Sequence, residues 1–259
     1  MDSFVPDGYA LRSGPAGTAI VRADLAHVPL ERFWAQGLAL ADAKGRGSVQ
    51  ILEVAPGLSV VARDYRRGGA LRALLPDRFF GKERAYRELA TLCALRAAGV
   101  LAVEPIAALA QGSGPLTRLR LCTRLLADAL PLPLFVARHP HRRREAIRAA
   151  GRVVAAAFAC GLRHPDLHPD NLLVLPSARP LRVELVDLDR AMLRPPLRPR
   201  DRDAMLLRMA RYLVRHRLPH SRADLLRFVL AFGLTAADFA RLGPPLARMI
   251  ARHQLTWRS

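Results

Sequence analysis

Two short stretches place a carboxylate and further oxygen ligands where phosphoryl transfer needs them. The first is His164-Pro165-Asp166-Leu167-His168-Pro169-Asp170-Asn171, and the second is Leu185-Val186-Asp187-Leu188-Asp189. A hydroxyl nucleophile needs a carboxylate within hydrogen-bond reach to align it and take its proton, and Asp166 is the candidate base. Asn171 follows across a short turn, where its amide oxygen can reach a metal held by phosphates. Asp187, at the end of an apolar run, supplies the hard oxygen that magnesium prefers. His-Pro-Asp and Asp-Asn are also ordinary turn chemistry between a helix and a strand. Three acceptors in register, followed by Asp187 on the next hairpin, point past that reading. His164 is expected to brace the loop. Asp170 either assists the metal or faces solvent, and Asp189 is a second ligand or a cap.

The order and spacing of the two stretches match H-R-D-L-x-x-x-N and D-F-G, with which protein kinases hold the base and the metal. Upstream, Gly45-Arg46-Gly47-Ser48 is a candidate loop over phosphates. Backbone amides approach phosphate oxygens closely only where side chains are small or absent, so Gly45, Gly47 and Ser48 are nucleotide-binding candidates. Val60-Val61-Ala62-Arg63 places Arg63 where V-A-I-K carries its phosphate-binding lysine, and Glu88 on the next helix is the natural ion-pair partner. An exposed strand arginine and a solvated glutamate are the plainer reading of that pair. Arg66-Arg67-Gly68-Gly69 reads as a mobile basic loop suited to a carboxylate or phosphate on an acceptor.

These residues need two kinds of support. Val49 to Val54 and Leu58 to Tyr65, joined through Ala55-Pro56-Gly57, read as a β-hairpin. A helix fits Lys82 to Ala97, with Tyr86, Leu89, Ala90, Cys93 and Ala97 at three- and four-residue steps and Gly99 as its stop. Val100 to Ala110 and Leu116 to Leu126 suggest two more strands, and Ala127 to Pro133 an inter-lobe linker. Arg142 to Cys160 is helical, and Leu172 to Leu175 with Leu181 to Val186 forms the hairpin that delivers Asp187. From about Arg200 onward the chain reads as helical, broken at Pro219, Gly233 and Gly243-Pro244-Pro245. The expected fold class is therefore α+β and bilobal. Residues 1–126 make a β-rich N-lobe with one main helix for the nucleotide phosphates. Residues 127–259 make a mostly helical C-lobe with the catalytic loop and metal site, and the nucleotide is expected in the cleft between them.

The 259 residues are 51% hydrophobic and 24% charged, which is a globular rather than a disordered balance. The net charge of +19 favours nucleic acid, anionic lipid or a phosphorylated substrate, although an Ala/Arg/Leu-rich composition accounts for part of it. Cys93, Cys122 and Cys160 are isolated, so buried reduced thiols are expected rather than disulfides or a zinc site. No apolar run spans a bilayer, and the first residues are not of signal-peptide type. The protein is expected in the cytosol or on a cytosolic surface.

Together the motifs resemble the lipopolysaccharide kinase family of Gram-negative bacteria over roughly residues 40 to 215. The matching pieces are Gly45-Arg46-Gly47-Ser48, Val61 to Gly69, Arg84-Ala85-Tyr86-Arg87-Glu88-Leu89, the Gly99 to Pro105 turn, the catalytic loop and Val186-Asp187-Leu188-Asp189-Arg190. The Tyr65-Arg66-Arg67-Gly68-Gly69 segment is the most family-specific of these. The resemblance implies a protein-kinase-like fold, ATP and Mg2+ as cofactors, and Asp166 as base. It also implies Asn171 and Asp187 as metal ligands and Arg63 with Glu88 as the phosphate-positioning pair. The implied reaction phosphorylates a hydroxyl of 3-deoxy-D-manno-octulosonic acid (Kdo) on a lipid A precursor. That anionic glycolipid sits at the cytoplasmic face of the bacterial inner membrane, to which the protein is expected to bind peripherally. Leu188-Asp189 stands where Phe-Gly is usual and no A-P-E segment follows, so no activation-loop regulation is expected. His168-Pro169-Asp170-Asn171 also looks like the loop of aminoglycoside and choline phosphotransferases, the rival reading; a +19 protein repels cationic aminoglycosides. A non-catalytic nucleotide- or nucleic-acid-binding protein is the third reading, supported by charge alone.

Overall fold

In the computed structural model the described residues are 5–39, 49–67, 77–112, 116–233, 237–238, 240–245 and 248. They fall into two compact units: Met1–Ala97 with Val103–Leu125, and Ala98–Ala102 with Leu126–Ser259.

The first unit is built on an antiparallel sheet. Its strands are β1 (Tyr9–Gly14), β2 (Gly17–Arg22), β3 (Leu38–Ala39), β4 (Val49–Ala55), β5 (Leu58–Asp64), β6 (Phe79–Phe80), β7 (Pro105–Gln111) and β8 (Leu116–Arg124). They run in the order β1-β2-β7-β8-β5-β4-β3, with β6 pairing β8. Side chains alternate between faces with a period of two. On β5, Leu58, Val60 and Ala62 are buried in a cluster with Val21, Leu25, Leu30 and Phe33. That places Arg63 on the opposite face of the strand. The N-terminal residues, which carried no motif, supply the edge hairpin β1–β2 and a short helix, α1 (Leu30–Trp34), that covers this first core.

The second face belongs to α2 (Glu83–Ala97), which buries Tyr86, Glu88, Leu89, Leu92 and Leu95. It ends as the sequence predicts: Gly99 lies at φ +80°, the left-handed conformation that closes a helix and that glycine adopts without a Cβ clash. The strand expected over Val100 to Ala110 begins only at Pro105. Residues 98–102 belong instead to the second unit, where Leu185 N–H donates to Leu101 O at 3.0 Å and Ala102 bridges Leu185 in parallel.

The stretch expected as a linker, Ala127 to Pro133, is partly ordered structure of the second unit. It forms β9 (Leu130–Pro131) and the start of α3 (Leu132–Arg138), with Leu130 paired to Val174. The apolar Leu130, Leu132, Phe135 and Val136 explain this, since α3 buries the last three. Then come α4 (Arg143–Ala159), β10 (Leu162–Arg163), β11 (Leu172–Leu175), β12 (Arg182–Leu185), β13 (Met192–Leu193), α5 (Pro199–Arg215) and α6 (Arg222–Ala231). The β11–β12 hairpin has the expected partners, Leu172 opposite Leu185 and Leu175 opposite Arg182. Helices α4 and α6 approach closely at Gly151, where a Cβ would lie 2.7 Å from Phe228 O. Among the described residues no helix is long and apolar enough to cross a membrane.

Candidate active site

In the first unit, adjacent residues of β5 make ion pairs on opposite faces. Arg63 reaches α2, where its Nη2 donates to both Glu88 oxygens at 2.6 and 2.7 Å. Glu88 is only 2% exposed, and the Tyr65 hydroxyl donates to its Oε2. A buried carboxylate is tolerated only when paired and hydrogen-bonded, and here both conditions hold. The guanidinium also lies 4.7 Å from the centre of the Tyr65 ring, against whose face Arg84 packs at 5.2 Å. On the other face, Asp64 takes two bonds from Arg120, at 2.6 and 3.0 Å. Arg120 is 1% exposed and donates to the Phe33 and Ala35 carbonyls, tying the N-terminal segment to the strand that carries Arg63.

Arg66 is exposed at the strand exit, whereas Arg67 is pinned. Its Nε donates to Arg78 O at 2.5 Å and its guanidinium stacks at 5.1 Å over Phe79. Gly45, Gly47 and Ser48, and also Gly68 and Gly69, lie outside the described residues.

In the second unit, the loop between β10 and β11 is held by its own polar groups. Asn171, 3% exposed, closes a one-turn 3-10 helix: its Oδ1 accepts from His168 N–H at 2.8 Å, and its N–H donates to His168 O at 2.9 Å. One lone pair of that oxygen therefore remains for another partner. The Asn171 carbonyl accepts from Val186 N–H at 2.9 Å, linking the loop to the segment that carries Asp187.

His164 makes the second link. Its Nδ1 accepts from Asp166 N–H at 3.1 Å, and its Nε2 lies 2.8 Å from Asp187 O. An accepting Nδ1 forces the proton onto Nε2, which donates to the carbonyl; only the neutral ring satisfies both contacts. Burial, the largest influence, holds the imidazole below its usual pKa against the opposing pull of Asp187 and Asp166. Asp166 and Asp187 themselves present to solvent. Asp187 sits at φ +55°, a left-handed conformation that costs a non-glycine residue about 1–2 kcal/mol. Three of the candidate residues, Asp166, Asn171 and Asp187, thus belong to one hydrogen-bonded unit.

One contributor had no motif to announce it. Tyr212 of α5 stacks on the His168 ring, with centroids 4.4 Å apart and planes at 12°, and its hydroxyl donates to Asp170 Oδ2 at 2.5 Å. Burial, then Asp170, pushes the phenol's pKa up and keeps it a donor. Asp170 is therefore committed to the loop's framework. Met205 and Arg208 precede Tyr212 on the same side of α5. Met205 Sδ accepts from His164 N–H at 3.3 Å, and Arg208 Nη1 donates to His164 O at 3.4 Å. The i, i+3, i+7 spacing of these three is the only trace in the sequence, and it reads there as ordinary amphipathic periodicity.

Among the described residues, no three His, Cys, Asp or Glu side chains come together as a metal site. Magnesium does not need one. It is commonly bound by one or two carboxylates plus substrate phosphates, and the Asp187 carboxylate and the Asn171 amide oxygen, on segments joined through Val186 N–H and Asn171 O, are oxygen donors of that kind.

An antiparallel sheet crossed by one helix, followed by a mostly helical unit with this loop, defines a protein-kinase-like fold. A solved structure described as WaaP in complex with acyl carrier protein has the same fold, with a TM-score of 0.63 over 87% of this chain and 92% of that one, at 21% identity. Residues 31–232 match the lipopolysaccharide kinase (Kdo/WaaP) family, and the chain belongs to it. Relatives named 3-deoxy-D-manno-octulosonic acid kinase include one from Vibrio vulnificus, 30% identical over 55% of this chain, and one from Vibrio cholerae, 31% identical over 61%. A third, from Xylella fastidiosa strain M12, is 28% identical over 71% of the chain. The match spans 62% of the length of the Vibrio vulnificus protein, 67% of the Vibrio cholerae one and 73% of the Xylella one.

Proposed function

We propose that this protein is an ATP-dependent kinase acting on a sugar hydroxyl, the Kdo of a lipid A precursor, in assembly of the lipopolysaccharide core. The observation that carries the reading is the His164 bridge, which ties the backbone of Asp166 to that of Asp187 and leaves both carboxylates exposed. A loop that buries its braces and exposes its acids suits proton acceptance and metal holding better than it suits stability. Family membership and the relatives' names supply the reaction class and the acceptor.

In this reading Asp166 aligns the acceptor hydroxyl and takes its proton. Asn171 and Asp187 hold magnesium, which, bound with the nucleotide, offsets charge on the phosphates. Arg63, fixed by Glu88 and Tyr65, directs its guanidinium to the phosphates. Gly45, Gly47 and Ser48 supply backbone amides over them, so that residues 1–126 act as the phosphate-binding lobe and 127–259 as the catalytic lobe. Arg66, beside the pinned Arg67, meets the acceptor's anionic groups. The acceptor places the work at the cytoplasmic face of the inner membrane, where a charge of +19 favours peripheral association.

The test is an acceptor screen with labelled ATP and magnesium, comparing Kdo-bearing lipid A precursor, aminoglycosides and a generic protein substrate. Label on the Kdo acceptor alone supports the reading. Label on aminoglycosides alone transfers the protein to the small-molecule kinases whose loop also reads His-Pro-Asp-Asn.

A further inference from the structure

The outer face of α5 carries a row of arginines beside the catalytic loop. Arg200, Arg208, Arg211 and Arg215 are exposed, and at 3.6 residues per turn they share an arc of about 80° with Ala204. The buried Met205, Leu206 and Met209 lie on the other side of the helix. The acids of α5 are engaged elsewhere, Asp201 with Arg163 at 3.0 Å and Asp203 with Arg202 and Arg241. Among the described residues none of the four arginines is paired with a carboxylate.

Helix stability does not account for this. Like charges three and four residues apart oppose the helix, and Arg200 stands in the first turn, where the helix dipole disfavours a cation. The row is suited to an external anion. The character of the face narrows the kind. Protein interfaces are organised around buried aromatic or aliphatic anchors with charge at the rim, and this arc offers only arginines and one alanine. A row roughly 22 Å long, with charge and no anchor, fits a diffuse anionic plane. It also borders the catalytic loop, because Arg208 Nη1 donates to His164 O at 3.4 Å.

We propose that the arginine face of α5 is the surface on which the protein docks to an anionic lipid leaflet, bringing its catalytic loop to a membrane-embedded acceptor. The choice of a bilayer over an acidic protein rests in part on the glycolipid acceptor proposed above. The test is co-sedimentation of the full chain with vesicles of phosphatidylcholine alone or with phosphatidylglycerol added. A triple variant, Arg200→Gln, Arg211→Gln and Arg215→Gln, removes the face and spares Arg208. A second triple, Arg144→Gln, Arg148→Gln and Arg152→Gln, removes the same charge from the exposed side of α4.

The wild type should bind phosphatidylglycerol vesicles, release them with salt and ignore phosphatidylcholine. The α5 variant should lose about tenfold or more in partitioning, and the α4 variant much less. No binding to anionic vesicles, an equal loss in both variants, or full binding by the α5 variant overturns the proposal. Turnover with a detergent-dispersed, Kdo-bearing acceptor is measured alongside, and the α5 variant should keep the wild-type kcat. If the wild type transfers nothing to that acceptor, the proposed function falls while the vesicle result still decides the docking face.

Discussion

The pair at Arg63 and Glu88 and the loop at Asp166 and Asp187 handle charge in opposite ways. At the first, the carboxylate is buried and neutralised on the spot by a guanidinium and a phenol. At the second, the carboxylates are exposed, and what is buried is a neutral imidazole that bridges their backbones and an amide that closes the loop onto His168 N–H. The first arrangement fixes a cation by sacrificing an acid to it. The second keeps two acids at the surface, where solvent and a ligand can reach them. Substitutions should therefore part company: the pair should answer in stability as well as activity, and the exposed acids in activity alone.

The largest effect is expected at Asp166. Asp166→Ala removes the proposed base and should lower kcat by about 10²–10⁴-fold. Because the side chain is exposed, its loss should change stability by no more than about 0.5 kcal/mol. Steady-state kinetics beside denaturant unfolding separates the two. A variant that is both inactive and markedly destabilised would make the loop a structural device and erase the contrast with Glu88.

Arg63→Ala removes a charge partner of the buried Glu88 and should cost about 3–5 kcal/mol of stability, together with a raised KM for ATP. Adding Glu88→Gln removes that buried charge and should restore much of the stability but not the KM. Equal stability in wild type and Arg63→Ala would mean that Glu88 is hydrated rather than desolvated, against its 2% exposure.

The contrast follows burial rather than the division into units, and Asp224 in the second unit shows why. It is 6% exposed, its Oδ2 accepts from Arg143 Nη2 at 2.7 Å, and it shares a reciprocal cap with Ser221 at the start of α6. Burial would raise its pKa, but Arg143 and the Ser221 hydroxyl and amide outweigh it and hold the carboxyl well below the usual range. A lowered folded pKa stabilises the protein above the unfolded value of about 3.9, and the contribution is lost as pH falls below it. Asp224→Asn should thus cost roughly 2 kcal/mol near neutrality, by loss of ion pair and cap. The gap between wild type and variant should narrow as pH falls below that unfolded value and close only below the folded pKa, well under it. A gap independent of pH would mean that the charge of Asp224 contributes nothing.

What the sequence conveyed, and what it withheld, follows the range of the interactions. Arg63 with Glu88 and the Gly99 stop were legible because alternation along a strand and periodicity along a helix are local. The β4–β5 and β11–β12 hairpins were legible for the same reason. Val100 to Ala102 misled because an apolar run states only that it will be buried, and its partner, Leu185, is far along the chain. The same holds for Leu130 and Leu132, which looked like a linker and pair with or pack beside β11. The covering role of α1 had no local mark, since Arg120 reaches Phe33 O and Ala35 O across 87 and 85 residues. Asp166 and Asn171 were visible by type and order, whereas the means of holding them, Tyr212 above all, was not.

Tyr212 offers the finest test because its two contacts can be removed separately. Tyr212→Phe keeps the ring over His168 and deletes only the hydrogen bond to Asp170. The expected cost is about 1 kcal/mol of stability, the usual net worth of one hydrogen bond. With it should come a fall of a few-fold in kcat and an unchanged KM for ATP. Tyr212→Ala removes the stacking as well and should lower kcat further, since the exposed acids depend on buried, uncharged supports. If Tyr212→Phe matched the wild type while Tyr212→Ala fell, stacking alone would set the loop and Asp170 would be a bystander. If both variants kept the wild-type kcat, the support would come from His164 and Asn171 alone, and the loop would owe nothing to α5 at this position.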